Sequence, residues 1–569
     1  MNKNKIIGNT LIFIIIMIYL GIFRSVFGGA NSLVGITVIT AVLMLTQRDL
    51  TAEPIKNFLT LLLVNVMTGV FSYIAVNNLW IGIPLNLIAL FVIAYTFSSN
   101  IKGLVVIPFG LQYLFMISEP VYGIDFEKRM IALVFGAFFV MAIQFVVNKK
   151  KLEKTFNPSI INIIDSLIET INLPEYLLEP SPYVMGRLID TLRDDEDTGN
   201  VLFKNIDNLK KIIYDKRKKG FYLNRGTKEV VDIVWILERI SLNLHKDCIY
   251  KNQEFNKYLK SYLSEIKFSI ENKKYSINYK EFYGNLDEDM LEVKKTIDDL
   301  VININQLMKI ENMKKHDFHI KAPKHFSKLE IAKKDFKIDS LRVSYALRLA
   351  ILGAFTLFLT KFFNLAEGRW MVYTIFALIQ PYKEVTIRKS KDRIQGTIIG
   401  VLLVIVVFMI FKNTQVRMLS ILFMGYLNPY AQRYRNMVIC ITFSAVASLA
   451  ITENITVILG GERLFFVAIG VIIALIGSKY IIPYNIENTN QYIIKNYNKL
   501  RFQLKKDINT SQVEDGIKLL YVLPAFFEEK LVSLNTGEKL KELKEFTKNQ
   551  RLIINNLYEK YYNKIKTVG

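Results

Sequence analysis

The chain has 569 residues, 51% of them apolar, and a formal net charge of +22. So apolar a composition excludes an ordinary soluble domain, and the basic balance then points to an anionic membrane surface or anionic ligands before nucleic acid. The two cysteines, Cys248 and Cys440, lie in very different surroundings, so no disulfide is expected, as suits a cytoplasm-facing protein.

The sequence opens on MNKNKIIGNTLIFIIIMIYLGIF, a basic flank followed by a long apolar run with no small-residue cleavage site after it. It reads as an uncleaved first span. Four blocks follow along the chain: apolar 1–148, polar 149–340, apolar 341–484 and polar 485–569. A helix needs about 20 apolar residues to cross the hydrocarbon core. Runs in the first block lie near 6–27, 31–47, 56–76, 79–97, 103–118 and 129–148. Runs in the third lie near 345–362, 369–381, 394–411, 416–429, 436–452 and 463–482. The expected fold is therefore all-α, with two six-helix transmembrane repeats and two cytoplasmic helical domains. The shorter runs would be tilted, broken or shielded by neighbours. A barrel would alternate in polarity.

The two apolar blocks look like copies. FEKRMIALVFGAFFVMAIQFVVNKKK closes the first and GERLFFVAIGVIIALIGSKYIIPYN the second. Each has an acidic-basic entry, a mid-span glycine and a lysine exit. Internal repeats are common in secondary transporters, with the substrate path at their interface. Lys and Arg concentrate in alternate loops, among them PYKEVTIRKSKDR and PYAQRYRN, which places both termini and both polar blocks in the cytoplasm. The polar blocks read as helical. TKEVVDIVWILERISLNL and LDEDMLEVKKTIDDLVININQLMKI show helical spacing, and SPYVMGRLIDTLRDDED suggests a helix capped by Ser181 with Pro182 at its first position.

The chain contains no P-loop, H-E-x-x-H or paired C-x-x-C, so neither ATP, a cofactor nor enzymatic activity is expected. His316, Asp317, His319 and His325 cluster before the seventh span and read as a solvated linker, not a metal site. Arg24 and Arg348 stand near or within apolar runs. A charge there usually faces a cavity or a partner, which makes both candidates for drawing in an anionic substrate. Tyr426 and Asn428, in MGYLNPYAQRYR, could break a short span and line a path, as could Pro108 and Gly110 in VVIPFGLQY.

One stretch carries more. An apolar span led by Trp370 ends in Gln380 and Pro381, a basic run of Lys383, Arg388, Lys389 and Lys391 follows, and then come Arg393, Gly396, Thr397 and Gly400. The glycine pair lets another backbone approach closely, which is expected at the repeat interface, with Arg393 pinning the helix at the inner surface. This pattern resembles the signature of the fusaric acid resistance-like family, also called the aromatic acid exporter family, and SYALRLAIL with Arg348 is similar to that family's entry into the same repeat. In the first block Lys56 stands where Arg393 would, and KNFLTLLL has no glycines.

The resemblance implies a plasma-membrane exporter of small organic anions, aromatic carboxylic acids in particular, driven by the proton gradient. Plant relatives of this architecture are malate-type anion channels. A passive anion channel is thus one alternative, and a membrane scaffold acting through its cytoplasmic domain is another. Carboxylates suited to proton coupling are scarce: Asp49, Glu53, Glu367 and Glu462. The expected partners are the anion and the lipid bilayer, without nucleic acid; the cytoplasmic helices could also mediate a homodimer.

Overall fold

A computed structural model describes residues 3–568 except 47, 52, 100–104, 149–150, 172–197, 217–224, 245–251, 273–276, 313–339, 366, 454–455 and 511–513. The Ser181–Pro182 cap, Cys248 and the histidine group of His316, His319 and His325 lie outside the described residues. Among the described residues the chain is helical and holds no strand.

The first apolar block forms α1 (Lys3–Phe27), α2 (Ser32–Leu45), α3 (Pro54–Asn77), α4 (Leu79–Phe97), α5 (Ile107–Ser118) and α6 (Ile124–Asn148). The first polar block forms α7 (Lys151–Ile171), α8 (Thr198–Lys216), α9 (Arg225–Asn243), α10 (Gln253–Glu271) and α11 (Glu288–Asn312). The second apolar block forms α12 (Leu341–Phe362), α13 (Arg369–Leu378), α14 (Lys383–Ile410), α15 (Thr414–Leu427), α16 (Tyr434–Glu453) and α17 (Thr456–Tyr480). The tail forms α18 (Ile486–Thr510), α19 (Glu514–Val522), α20 (Pro524–Leu534) and α21 (Gly537–Val568).

Each of the twelve apolar runs becomes a helix, but twelve full crossings do not follow. Among the described residues eight helices are long and apolar enough to cross a membrane: α1, α3, α4, α6, α12, α14, α16 and α17. The other four, α2, α5, α13 and α15, have 14, 12, 10 and 14 residues. These fall short of the roughly 20 that a spanning helix needs. Helix α13 is shielded on much of its surface, with Met371, Val372, Thr374, Ile375, Phe376 and Leu378 all buried. The basic run from Lys383 to Arg393, expected as a loop, is also a departure. It is the first part of α14, which continues unbroken for 28 residues. Lys, Arg and Glu are good helix formers, and the run contains neither proline nor glycine to stop it.

The chain divides into two compact units. One holds residues 1–47, 54–144 and 335–491; the other holds 48–53, 145–334 and 492–569. The apolar blocks thus share one unit and the polar blocks the other, although each pair is separated in sequence. In the first unit α4 and α12 pack closely. A Cβ on Gly353 would lie 2.4 Å from Leu90 Cδ1. The Arg342 guanidinium covers the Tyr95 ring at 3.9 Å and donates to the carbonyl of Tyr95 at the end of α4, where the helix dipole favours a cation. Helices α5 and α13 are tighter still, since a Cβ on Gly110 would fall 1.9 Å from Phe376. Gly110, expected to line a path, instead lets the two apolar blocks meet.

The second unit has a buried ionic centre. Glu238 of α9 accepts from Lys210 Nζ at 2.8 Å, from Asn555 Nδ2 at 3.1 Å and from the Tyr521 hydroxyl. Arg551 of α21 reaches Glu238 at 3.1 Å, Asp207 at 2.8 Å and Glu528 at 2.9 Å. Alongside, Asp232 binds Lys518 and the Tyr558 hydroxyl, each at 2.6 Å. The tail helices are thereby fastened to the middle of the chain by charge as well as by their apolar faces.

Candidate functional site

In the first unit a cavity of about 300 Å³ opens between the α3–α4 turn, the end of α5, the end of α12 and the start of α13. Helices from both apolar blocks build it. Its wall is mostly apolar, including Gly82 and Phe358, with Asn86 and Thr360 as polar points. Two cations line it, Lys361 and Arg369, and no Asp or Glu does. Lys361 stands in the last turn of α12 and donates to the carbonyls of Ala75, at 3.2 Å, and Val76, which close α3. Arg369 opens α13 and binds Glu119 at 3.0 Å and Glu367 at 2.6 Å, while its Nε is buried without a partner. Asn86 is oriented by the Tyr113 hydroxyl, which donates to it at 2.6 Å.

Arg348 is elsewhere and is fully buried. Its Nε donates to the Ile481 carbonyl at 3.1 Å. One terminal nitrogen reaches the Gln380 and Pro381 carbonyls at 3.0 and 3.5 Å, and the other reaches Ser344 Oγ at 3.0 Å and the Ile482 carbonyl at 2.7 Å. A guanidinium has five N–H donors, and all five are used on the protein. Ile482 has φ of +43°, a conformation that a β-branched residue rarely adopts. Ser344 Oγ also donates to its carbonyl, at 2.7 Å. Arg348 therefore ties Gln380 and Pro381 to a strained turn after α17 and has no donor to spare for cargo.

Gly396 and Gly400 do allow a close approach. A Cβ on Gly396 would lie 2.7 Å from the Arg435 carbonyl oxygen, and one on Gly400 would lie 2.8 Å from Thr442 Cβ. The neighbour is α16, in the same apolar block, so the glycine pair does not sit at the interface between the blocks. Gly396→Ala is expected to cost roughly 1–3 kcal/mol, the range for overpacking against atoms that cannot move aside. The check is the melting midpoint of the detergent-solubilised protein, with the exposed Gly8→Ala as control.

Arg393 is likewise not at the surface. It lies ten residues into α14, is 6% exposed, and its Nε has no partner. Its carbonyl accepts from Thr397 Oγ1 at 2.7 Å. Within its electrostatic reach is Arg463 of α17, which the sequence reading quoted but did not single out. Arg463 is 1% exposed, and none of its three guanidinium nitrogens has a hydrogen-bond partner. Its guanidinium lies 3.7 Å from the centre of the Trp370 ring. The Trp370 indole N–H in turn donates to Glu367. Trp370 and Arg393 from the sequence motif are thus gathered around a missed residue.

Of the remaining candidates, Arg24 is exposed near the end of α1. The Tyr426 hydroxyl pairs with Thr10 at 3.0 Å and with Tyr430 at 3.2 Å. Asn428 opens a single 3-10 turn after α15, and its side-chain oxygen is buried without a partner. None of these three lines the cavity. Among the described residues no group of three His, Cys, Asp or Glu could hold a metal ion.

Compared with known proteins, the chain matches no curated protein and no solved structure. Residues 353–477 match the family model described as fusaric acid resistance protein-like. The match begins within α12 and ends within α17, so it takes in Trp370, Gln380, Pro381, Arg393, the glycine pair and Arg463. With eight apolar helices of spanning length among the described residues, the protein is a multi-pass membrane protein, and its residues 353–477 are similar to the fusaric acid resistance protein-like family.

Proposed function

We propose that the protein is a plasma-membrane transporter that exports small organic anions, aromatic carboxylic acids foremost, by secondary efflux driven by the proton gradient. The cavity carries this reading: apolar walls with Phe358, two cations, no carboxylate, and contributions from both apolar blocks. Its volume of about 300 Å³ is at the lower end of small-molecule sites. An apolar ring with one negative charge suits such a lining. The family match supports an efflux role. The basic loops support an orientation with both termini and the polar unit in the cytoplasm. Arg348 serves here as a strut, and Lys361 and Arg369 take the role of meeting the anion.

A passive anion channel is the second reading, favoured by one observation. Glu367, the carboxylate beside the cavity's Arg369, is already bonded to Arg369 and Trp370 and is poorly placed to carry a proton. The test is efflux of labelled benzoate from preloaded cells, with and without an uncoupler. Lys361→Met and Arg369→Met are each expected to slow efflux at least about tenfold, the scale of one lost charge-assisted bond at roughly 1.5–3 kcal/mol. Wild-type rates in both variants at equal expression would remove the cavity from the path. Efflux indifferent to the uncoupler would select the channel, and no efflux above empty-vector cells would leave the scaffold.

A further inference from the structure

The contrast between two arginines leads beyond the cavity. Arg129 in EKRMIALVFG and Arg463 in GERLFFVAIG each stand seven residues before a glycine, Gly136 and Gly470, in the closing helix of their block. Both are buried, at 4% and 1% exposure. Arg129 is satisfied: it donates to Asn31 Oδ1 at 2.8 Å, to the Glu119 carbonyl at 2.9 Å and to the Ala30 carbonyl at 3.1 Å. Arg463 has a Trp370 face in place of all these acceptors.

A buried cation without hydrogen bonds is strongly disfavoured, and one aromatic face returns only part of that cost. The surroundings add little. Two of the three charged groups within reach, Arg393 and Arg369, are like charges, and the third, Glu367, is bonded to Arg369 and Trp370. Arg393 presents a second buried nitrogen without a partner. Arg463 thus holds buried positive charge without a hydrogen bond, within the field of a second arginine whose Nε is also unpartnered, and an anion there would relieve both.

We propose that Arg463, Arg393 and Trp370 form a binding site for the carboxylate group of a small anion, separate from the Lys361–Arg369 cavity. Arg463 offers the planar fork that a carboxylate matches with two parallel hydrogen bonds. Arg393 supplies the second charge, and Trp370 fixes the plane of the Arg463 guanidinium. The carboxylate could belong to exported cargo, in which case the site is a second station on the proposed path and rests on that reading. It could equally belong to a small resident anion such as acetate.

The test uses the full chain in detergent. Trp80→Phe and Trp235→Phe leave Trp370 as the single tryptophan reporter. Benzoate, acetate and chloride are titrated at constant ionic strength, following Trp370 emission and the melting midpoint. The expected result is a saturable emission change and a saturable upward shift in midpoint with the carboxylates. In Arg463→Met both responses disappear, whereas the midpoint without anion stays equal or rises, because an unsatisfied charge has been replaced by an apolar chain. Arg463→Lys, which keeps the charge but not the fork, weakens binding about tenfold or more. A response to benzoate alone identifies cargo; an equal response to acetate identifies a general carboxylate site. A response to chloride alone overturns the assignment, as does a carboxylate response that survives in Arg463→Met. So does an Arg463→Met protein that melts well below wild type without anion. Saturable binding without cellular efflux would keep the site and sink the exporter; unimpaired efflux by Arg463→Met, with its binding response lost, would keep both and place the site off the export path.

Discussion

Glu238→Ala is expected to lower the stability of the second unit by roughly 3–5 kcal/mol, the cost of removing one partner from a buried ion pair. Lys210, only 3% exposed, loses both carboxylate oxygens that hold it, and Arg551, Tyr521 and Asn555 each lose an acceptor. Burial pushes the Glu238 carboxyl up, but Lys210 and Arg551 outweigh it and hold its pKa down to about 2. A depressed carboxylate stabilises the fold fully above its unfolded value near 4.5 and loses that contribution as pH falls towards 2. Glu238 therefore stays ionised in mild acid, whereas burial raises the Asp207 carboxyl despite Arg551 beside it. The variant should lose the Glu238 contribution evenly at neutral and mildly acid pH, seen as faster proteolysis of the tail at neutral pH with little further change down to pH of about 5. Lys210→Met added to Glu238→Met should recover part of the loss, since a buried pair replaced by apolar chains is often neutral. A tail as protease-resistant in Glu238→Ala as in wild type would show that the ionic centre does not hold it.

The second large effect is expected from Arg348→Ala. It strips donors from the carbonyls of Gln380, Ile481 and Ile482 in one step. Ile482 keeps the Ser344 hydroxyl, so at about 1–3 kcal/mol for each of the other two acceptors the loss is on the order of 4 kcal/mol. Ile482 also loses a bond that holds its left-handed backbone. Arg348→Lys should rescue little, because an ammonium is a point donor that cannot span acceptors on two sides. The measurement is the fraction of monodisperse protein after brief heating in detergent. Full monodispersity with lost export alone would return Arg348 to the role of cargo contact.

The helical class and the apolar runs were legible because hydropathy over about 20 residues is set by composition alone. The charge run at Lys383–Arg393 was not, because a solvated loop and the polar first turns of a long helix have the same composition. The glycine pair announced close packing but not its partner: Gly396 and Gly400 fix only that some backbone comes near, and α16 turned out to be it. Arg463 escaped notice because one arginine near a span end usually serves topology. The available signal was the shared spacing of Arg129 and Arg463 from their glycines. The ionic centre escaped for a related reason. Lys210, Glu238 and Arg551 lie on amphipathic helices whose charges ordinarily face water, and only the tertiary fold buries them together.

That ionic centre has a consequence for biosynthesis. Its bonds between the tail and the middle of the chain join residues 283 to 344 positions apart, from Tyr521–Glu238 to Arg551–Asp207. The ribosome releases α8 and α9 long before it makes α19 to α21, and all six helices of the second apolar block emerge in between. During that interval Glu238, Asp207 and Asp232 await most of their cations. Domains usually fold as they emerge, but this one must wait for the last segment of the chain. Nascent chains arrested before Arg551 should therefore carry an unfinished middle block alongside helices already committed to the bilayer, a state open to chaperones and proteases.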